Sequence, residues 1–372
     1  MKKKKGKLAS TVGLIVSVLV YLLIGALCGG LFLRYGETLP DSFVLTMALM
    51  LGSVYLAMAL QIAIHEAGHL VFGLLTGYRF SSYRFFSLMW IKQDGKLRFK
   101  KLNLAGTGGQ CLMAPPDWRE DCPYVLYNLG GVLMNLISAA LFWLLSLVAP
   151  PTVKLFLLMG ALIGLAFALL NGLPLRVGPI DNDGRNILSI RKSPAARRAF
   201  WLQMKVNAQQ AAGVRLRDMP EDWFSVPGDE TPENSILAAV SVNRASRLMD
   251  AQRFEEAAAL QDRLLAQGDL AGIYRGLLSC DRIFCELLGE GREETLAALM
   301  TKQQAKFMKS MKSYPSVLRT LLALALLHEH DAAGAEKLKA EFEKIARSYP
   351  YPTDIESERE LLALAEEKAA QE

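Results

Sequence analysis

The run His65-Glu66-Ala67-Gly68-His69 interrupts an apolar stretch that extends over 43–77. Helix positions four apart share a face, so His65 and His69 can grip one metal ion together. Glu66 follows the first ligand and falls beside the metal, where a carboxylate can take a proton from bound water. Hydrocarbon tolerates ionisable groups badly, so they persist there when they line a cavity or perform chemistry. Residue types and setting together point to zinc chemistry inside a membrane. Catalytic zinc usually takes three protein ligands and keeps one position open. The chain has 4 histidines, and the other two, His328 and His330, read as a solvated helix end in a distant, charged region. A carboxylate or a cysteine must then complete the set. Asp181 and Asp183 follow the last apolar block in the run Asp181-Asn182-Asp183-Gly184. Nearby Gly and Pro break the helix and let a carboxylate turn inward, although the same residues also build ordinary turns.

Four apolar blocks must position these groups: 8–33, 43–77, 124–149 and 153–173. Each is long enough for a bilayer core of about 30 Å, which takes about 20 helical residues. The first is too long for the apolar part of a cleaved signal peptide and reads as an uncleaved membrane helix. Lys2, Lys3, Lys4, Lys5 and Lys7 precede it, and the 78–123 connection is also rich in Lys and Arg. Basic residues stay cytosolic, so the chain is expected to cross the cell membrane four times with both termini in the cytosol. The residue cluster at 65–69 and the end of the fourth block then lie on the same side, where they can meet. The net charge of +5 is modest and does not point to nucleic acid. Five irregularly spaced cysteines (Cys28, Cys111, Cys122, Cys280 and Cys285) read as free thiols.

The apolar-embedded His-Glu-x-x-His, followed by Asn171-Gly-Leu-Pro174 and then Asp183-Gly184, resembles the site-2 protease family of intramembrane zinc metalloproteases. Gly131-Val-Leu-Met-Asn135 is similar to that family's Gly-x-x-x-Asn element, with Val132 where a proline often stands. The resemblance covers 43–190. It implies Zn²⁺ held by His65, His69 and an aspartate, with Glu66 as the general base in hydrolysis of a peptide bond in a membrane-anchored protein. Asp183, followed by Gly184, fits the family's Asp-Gly ligand better than Asp181, although extra residues separate it from Asn171. Asn135 and Asn171 are implied to orient the substrate backbone, or else they bond helices together.

Between the second and third blocks, the aromatic-rich 80–91 stretch, the Asp94-Gly95 turn signal and the alternating 96–104 stretch predict a cytosolic β-hairpin. Such a hairpin can rest on lipid headgroups or add a substrate strand at its edge. Beyond 190 no block is long enough to span a membrane. The segment 233–267 resembles a tetratricopeptide helix pair, and further helices are predicted over 269–290, 293–311, 314–330, 332–348 and 354–370. The expected fold is mainly α: a polytopic membrane bundle with a β-hairpin and a tetratricopeptide-like α-helical domain. Its divisions are a first membrane helix with a short external loop (1–42), the metalloprotease core (43–190) and a cytosolic repeat-like domain (191–372). The last would dock a protein partner. The competing expectation is a non-enzymatic membrane scaffold whose helical tail binds that partner.

Overall fold

The computed structural model describes residues 2–39, 42–93, 95–102, 108–177, 180–228, 234–267, 270 and 272–371. In chain order the first elements are α1 (Lys2–Tyr35), α2 (Phe43–Leu75), β1 (Arg79–Phe85), β2 (Leu88–Gln93), β3 (Lys96–Lys101) and β4 (Gly109–Ala114). Then come α3 (Tyr124–Val148), α4 (Pro151–Gly172), β5 (Arg176–Val177), β6 (Ile180–Asp181) and α5 (Asp183–Arg191). The remainder is helical: α6 (Pro194–Ala211), α7 (Ser235–Asp250), α8 (Phe254–Ala266), α9 (Gly272–Leu288) and α10 (Glu293–Leu299). It ends with α11 (Lys302–Ser310), α12 (Pro315–Leu327), α13 (Ala332–Ala346) and α14 (Pro352–Gln371). Two compact units result, 1–85 with 108–192 and 86–107 with 193–372.

In the first unit, Thr11–Tyr35, Phe43–Leu75, Tyr124–Val148 and Pro151–Gly172 are long and apolar enough to cross a membrane, within a few residues of the four blocks read from the sequence. Large apolar side chains such as Leu22, Val44, Tyr55, Leu56, Leu141 and Leu147 are exposed, which suits a hydrocarbon solvent and not water. Pro151 opens α4 at its first turn, where the missing N–H costs nothing. The α3 helix packs against both α2 and α4, and α1 packs against α4. At the α2–α3 crossing a Cβ on Gly68 would lie 2.2 Å from the Gly130 carbonyl oxygen, and one on Gly130 would lie 2.5 Å from that of Gly68. Small residues are what allow this approach. The β1 and β4 strands pair antiparallel with an irregularity at Phe80/Ser82, and the Tyr83 hydroxyl ties β1 to the Ala63 carbonyl of α2 at 2.8 Å. All five cysteines are free and buried.

In the second unit the hairpin is β2–β3, paired from Leu88↔Lys101 to Gln93↔Lys96 around Gly95, whose φ is +73°. Asp94 and residues 103–107 lie outside the described residues. The aromatic stretch expected as one strand is two, β1 and β2, with Phe86 between them at φ +50°. The hairpin also belongs with the C-terminal helices and not with the expected 43–190 core. Its reason is apolar: Met89, Ile91 and Leu102 bury together with Ala211, Tyr349 and Tyr351. The Gln93 amide adds a 2.8 Å bond to the Pro350 carbonyl. Protein covers that face. Among the helices, α7, α8 and α9 pack as successive neighbours, α9 meets α12, and α12 meets α13 and α14. Their core includes Leu248, Leu260, Ile283, Phe284, Leu324 and Leu361. The helix expected over 293–311 is broken into α10 and α11, because Thr301 caps α11 by accepting from the Gln304 N–H at 3.2 Å.

Candidate metal centre

Along one stripe of α2, Gln61, His65 and His69 recur every fourth residue and are all buried. His65 and His69 converge with Asp183: His65 Nε2 is 3.1 Å and His69 Nε2 3.6 Å from Asp183 Oδ2, and the two Nε2 atoms are 3.2 Å apart. The far nitrogens are held from behind. His69 Nδ1–H donates to the Tyr127 carbonyl at 2.8 Å, and a carbonyl can only accept, so in the neutral ring Nε2 presents its lone pair. His65 Nδ1–H donates to Asn135 Oδ1 at 2.7 Å. The Asn135 amide is oriented in turn, because its Nδ2 donates to the Gln61 carbonyl at 3.0 Å and to Gln61 Oε1 at 2.7 Å.

Two ring lone pairs and a carboxylate oxygen therefore face one another. Asp183 Oδ2 is buried and accepts no hydrogen bond despite these neighbours. Three electron-rich atoms held this close suit a shared cation, either a proton on one imidazole or a metal ion. Zinc bonds of about 2.0–2.1 Å in a tetrahedron set ligand atoms about 3.3 Å apart, and the observed separations are 3.1, 3.2 and 3.6 Å. The donor set fits zinc, a borderline metal that accepts imidazole and carboxylate.

Gly131 and Asn135 act as one device. A Cβ on Gly131 would lie 2.4 Å from His65 Cε1, so the glycine lets α3 pass under the imidazole and Asn135, one turn later, catches its Nδ1. Asn135 thus orients the His65 ring. Gln61, which sequence reasoning missed, fixes that amide: its Oε1 also accepts from Ser138 Oγ at 3.1 Å and its Nε2 donates to the Gly160 carbonyl at 3.1 Å. The one sequence signal was a lone glutamine one turn before His65 in an otherwise apolar helix.

Asp183 reaches the histidines from the first turn of α5. Asn182 caps that helix, accepting from the N–H groups of Arg185 at 2.9 Å and Leu175 at 3.1 Å, while its amide donates to the Leu170 and Leu173 carbonyls. It closes the extra segment after Asn171, of which 178–179 lie outside the described residues. Gly184 follows Asp183 because a Cβ there would lie 2.2 Å from the Gly172 carbonyl oxygen. Asp181 instead sits 4.0 Å from Arg185 and is not in the cluster. Asn171 donates to the Phe167 carbonyl of its own helix at 3.0 Å, so it is not brought to the histidines by a described hydrogen bond. His328 pairs with Glu293 at 3.3 Å. Cys111 is not in the cluster either.

Glu66 is half-buried and lies against β4. A Cβ on Gly109 would come 2.5 Å from Glu66 Cγ and 2.6 Å from its Oε1. Arg84, almost fully buried, donates to the Gly109 carbonyl at 3.2 Å and places a positive charge near this carboxylate. Neither Gly109 nor Arg84 carried a motif that would have revealed it. Comparison of the chain with protein-family models, with curated proteins and with solved structures returned no match.

Proposed function

We propose that the chain is an intramembrane zinc metalloendopeptidase, similar to the site-2 proteases, that hydrolyses a peptide bond in or near the membrane-spanning segment of a membrane-anchored protein. One observation carries this reading. His65 Nε2 and His69 Nε2, which flank Glu66 on a helix apolar enough to cross a membrane, converge within 3.6 Å with Asp183 Oδ2 from α5.

His65, His69 and Asp183 would hold the metal. When bound, zinc supplies Lewis-acid polarisation of a carbonyl and lowers the pKa of water to about 7. Glu66 takes the proton from the attacking water and delivers it to the leaving amine. Asn135 and the Tyr127 carbonyl keep both imidazoles in the tautomer that turns Nε2 inward. Asn171, at the end of α4, is the remaining candidate for holding a substrate backbone. A helical peptide bond is shielded, so substrate must unwind before it reaches Glu66.

The Lys-rich start and the basic 78–123 connection favour a cell-membrane protein with both termini cytosolic. On β3, Leu97 and Phe99 are exposed among Lys96, Arg98 and Lys100, a combination suited to lipid headgroups. The C-terminal helices, read as a tetratricopeptide-like array, would bind a cytosolic protein partner. The test is detergent-solubilised protein incubated with an unstructured polypeptide. Cleavage that stops with a chelator, returns with Zn²⁺ and is absent in Glu66→Gln is expected. A native chain that purifies without zinc and cannot take it up would favour the scaffold instead.

A further inference from the structure

Within the C-terminal unit, α7, α9, α12 and α14 surround a cavity of about 260 Å³. Its charged lining is Arg215, Asp250, Asp281, Arg319, Asp354 and Glu358. Four carboxylates thus face two guanidinium groups. Both guanidiniums are already engaged: Arg319 by Asp281 and, at 3.0 Å, by Glu358, and Arg215 by Asp250 and by Glu360. Among the described residues, Asp354 receives only the Gln210 amide, at 3.3 Å. Burial pushes the Asp354 and Glu358 carboxyls up to about 7, the response of a site short of positive charge. Thr353, 8 % exposed, lines the same cavity, and its buried hydroxyl oxygen has no hydrogen-bond partner. A carboxylate without a cation and a hydroxyl without a partner, on one wall of one cavity, are the complement of an N–H-rich cationic group.

Size and the remaining walls narrow the class. Small-molecule pockets run to about 300–1,000 Å³, so about 260 Å³ suits a single side chain. Met249, Leu278 and Tyr314 give it apolar walls, against which an aliphatic stem packs while its charged end reaches the carboxylates. An anion is disfavoured, because neither arginine is unpaired. We propose that this cavity receives a lysine or arginine side chain from a basic segment of a partner polypeptide, with Asp354 as its principal counter-charge and Thr353 as a hydrogen-bond acceptor. The assignment is independent of the peptidase reading.

The test uses the full chain in detergent and titrates five-residue peptides, acetylated and amidated, that carry Lys, Arg or Gln between alanines. A basic peptide is expected to bind about tenfold more tightly than the Gln peptide, the scale of one close charge pair. Asp354→Asn keeps the shape and the acceptor for Gln210, and it should erase most of that preference. Ser357→Lys, on the lining of the cavity, supplies an ammonium in place of the ligand and should block binding while leaving the fold intact. Glu356→Gln, exposed on the same helix, should change nothing. Equal binding of the Gln and Lys peptides, or a preference that survives both Asp354→Asn and Ser357→Lys, would overturn the assignment. So would strong binding of free spermidine with no binding of either basic peptide, since the occupant would then be a small amine.

Discussion

At the scale of single residues, the centre is a division of labour between atoms that point inward and atoms that hold them there. His65 and His69 spend their Nδ1 protons on Asn135 and on the Tyr127 carbonyl, and that is what turns two lone pairs toward Asp183. Removing an orienting partner typically weakens metal affinity about 10–100-fold, so Asn135→Ala should lose zinc to a competing chelator in that range. Gln61→Leu should act in the same direction, through the amide it orients. Asp183→Asn should remove most of the bound zinc and Asp181→Asn almost none, measured as zinc per chain after dialysis. His65, Glu66 and His69 were legible in the sequence because one helical turn carries all three, and spacing alone specifies their geometry. Asp183 was legible only through its order relative to the other elements, since the choice against Asp181 depends on where α5 starts. Gln61 and Arg84 were not legible: a lone polar residue in an apolar helix and a basic residue in a strand have bland explanations, and only the fold shows what they face.

Elements bring these atoms together by close approach, and glycines set its limits. At Gly184 a Cβ would lie 2.2 Å from a backbone oxygen, that of Gly172, which cannot swing aside. Gly184→Ala should therefore displace Asp183 and lower the zinc content while the protein still inserts and purifies. Gly131→Ala, driven against the His65 ring, should do the same from the other side. In the C-terminal unit, Thr301→Ala removes the cap of α11 and should cost about 1 kcal/mol in urea unfolding. Hydropathy made the four long helices readable to within a few residues, because a bilayer core demands an apolar run of about 20 residues or more from each. The β4 strand was missed, since Gly109–Ala114 follows a glycine-rich segment and lacks an alternating pattern. The break between α10 and α11 was missed because Thr301 reads equally well as a tolerated helical residue until its hydroxyl is seen to accept from Gln304.

On the scale of the whole molecule, a four-helix apolar unit carries the centre, and a separate helical unit carries a buried ion network with too many carboxylates. Which unit owns 86–107 could not be read locally: Met89 and Ile91 meet residues more than 100 positions away in the sequence. The surplus carboxylates have a consequence for stability. Asp354 has a folded pKa of about 7 against an ordinary 3.8, so between these values the folded chain keeps a proton that the unfolded chain has lost. Its contribution therefore becomes less favourable as pH rises from about 4 to about 7, and the penalty is complete above that. Asp354→Asn should unfold at a higher temperature than the native chain at pH 8, with the difference shrinking toward pH 5, as followed by thermal melts. The central claim joins the apolar unit to a reaction, and its most direct test compares membrane proteomes of cells carrying the native chain or Glu66→Gln, with membrane-proximal fragments quantified. The account predicts that a membrane-anchored protein, full-length or already trimmed outside the membrane, accumulates in the variant while its fragment disappears. Identical proteomes, under conditions where both proteins are present and loaded with zinc, would contradict it.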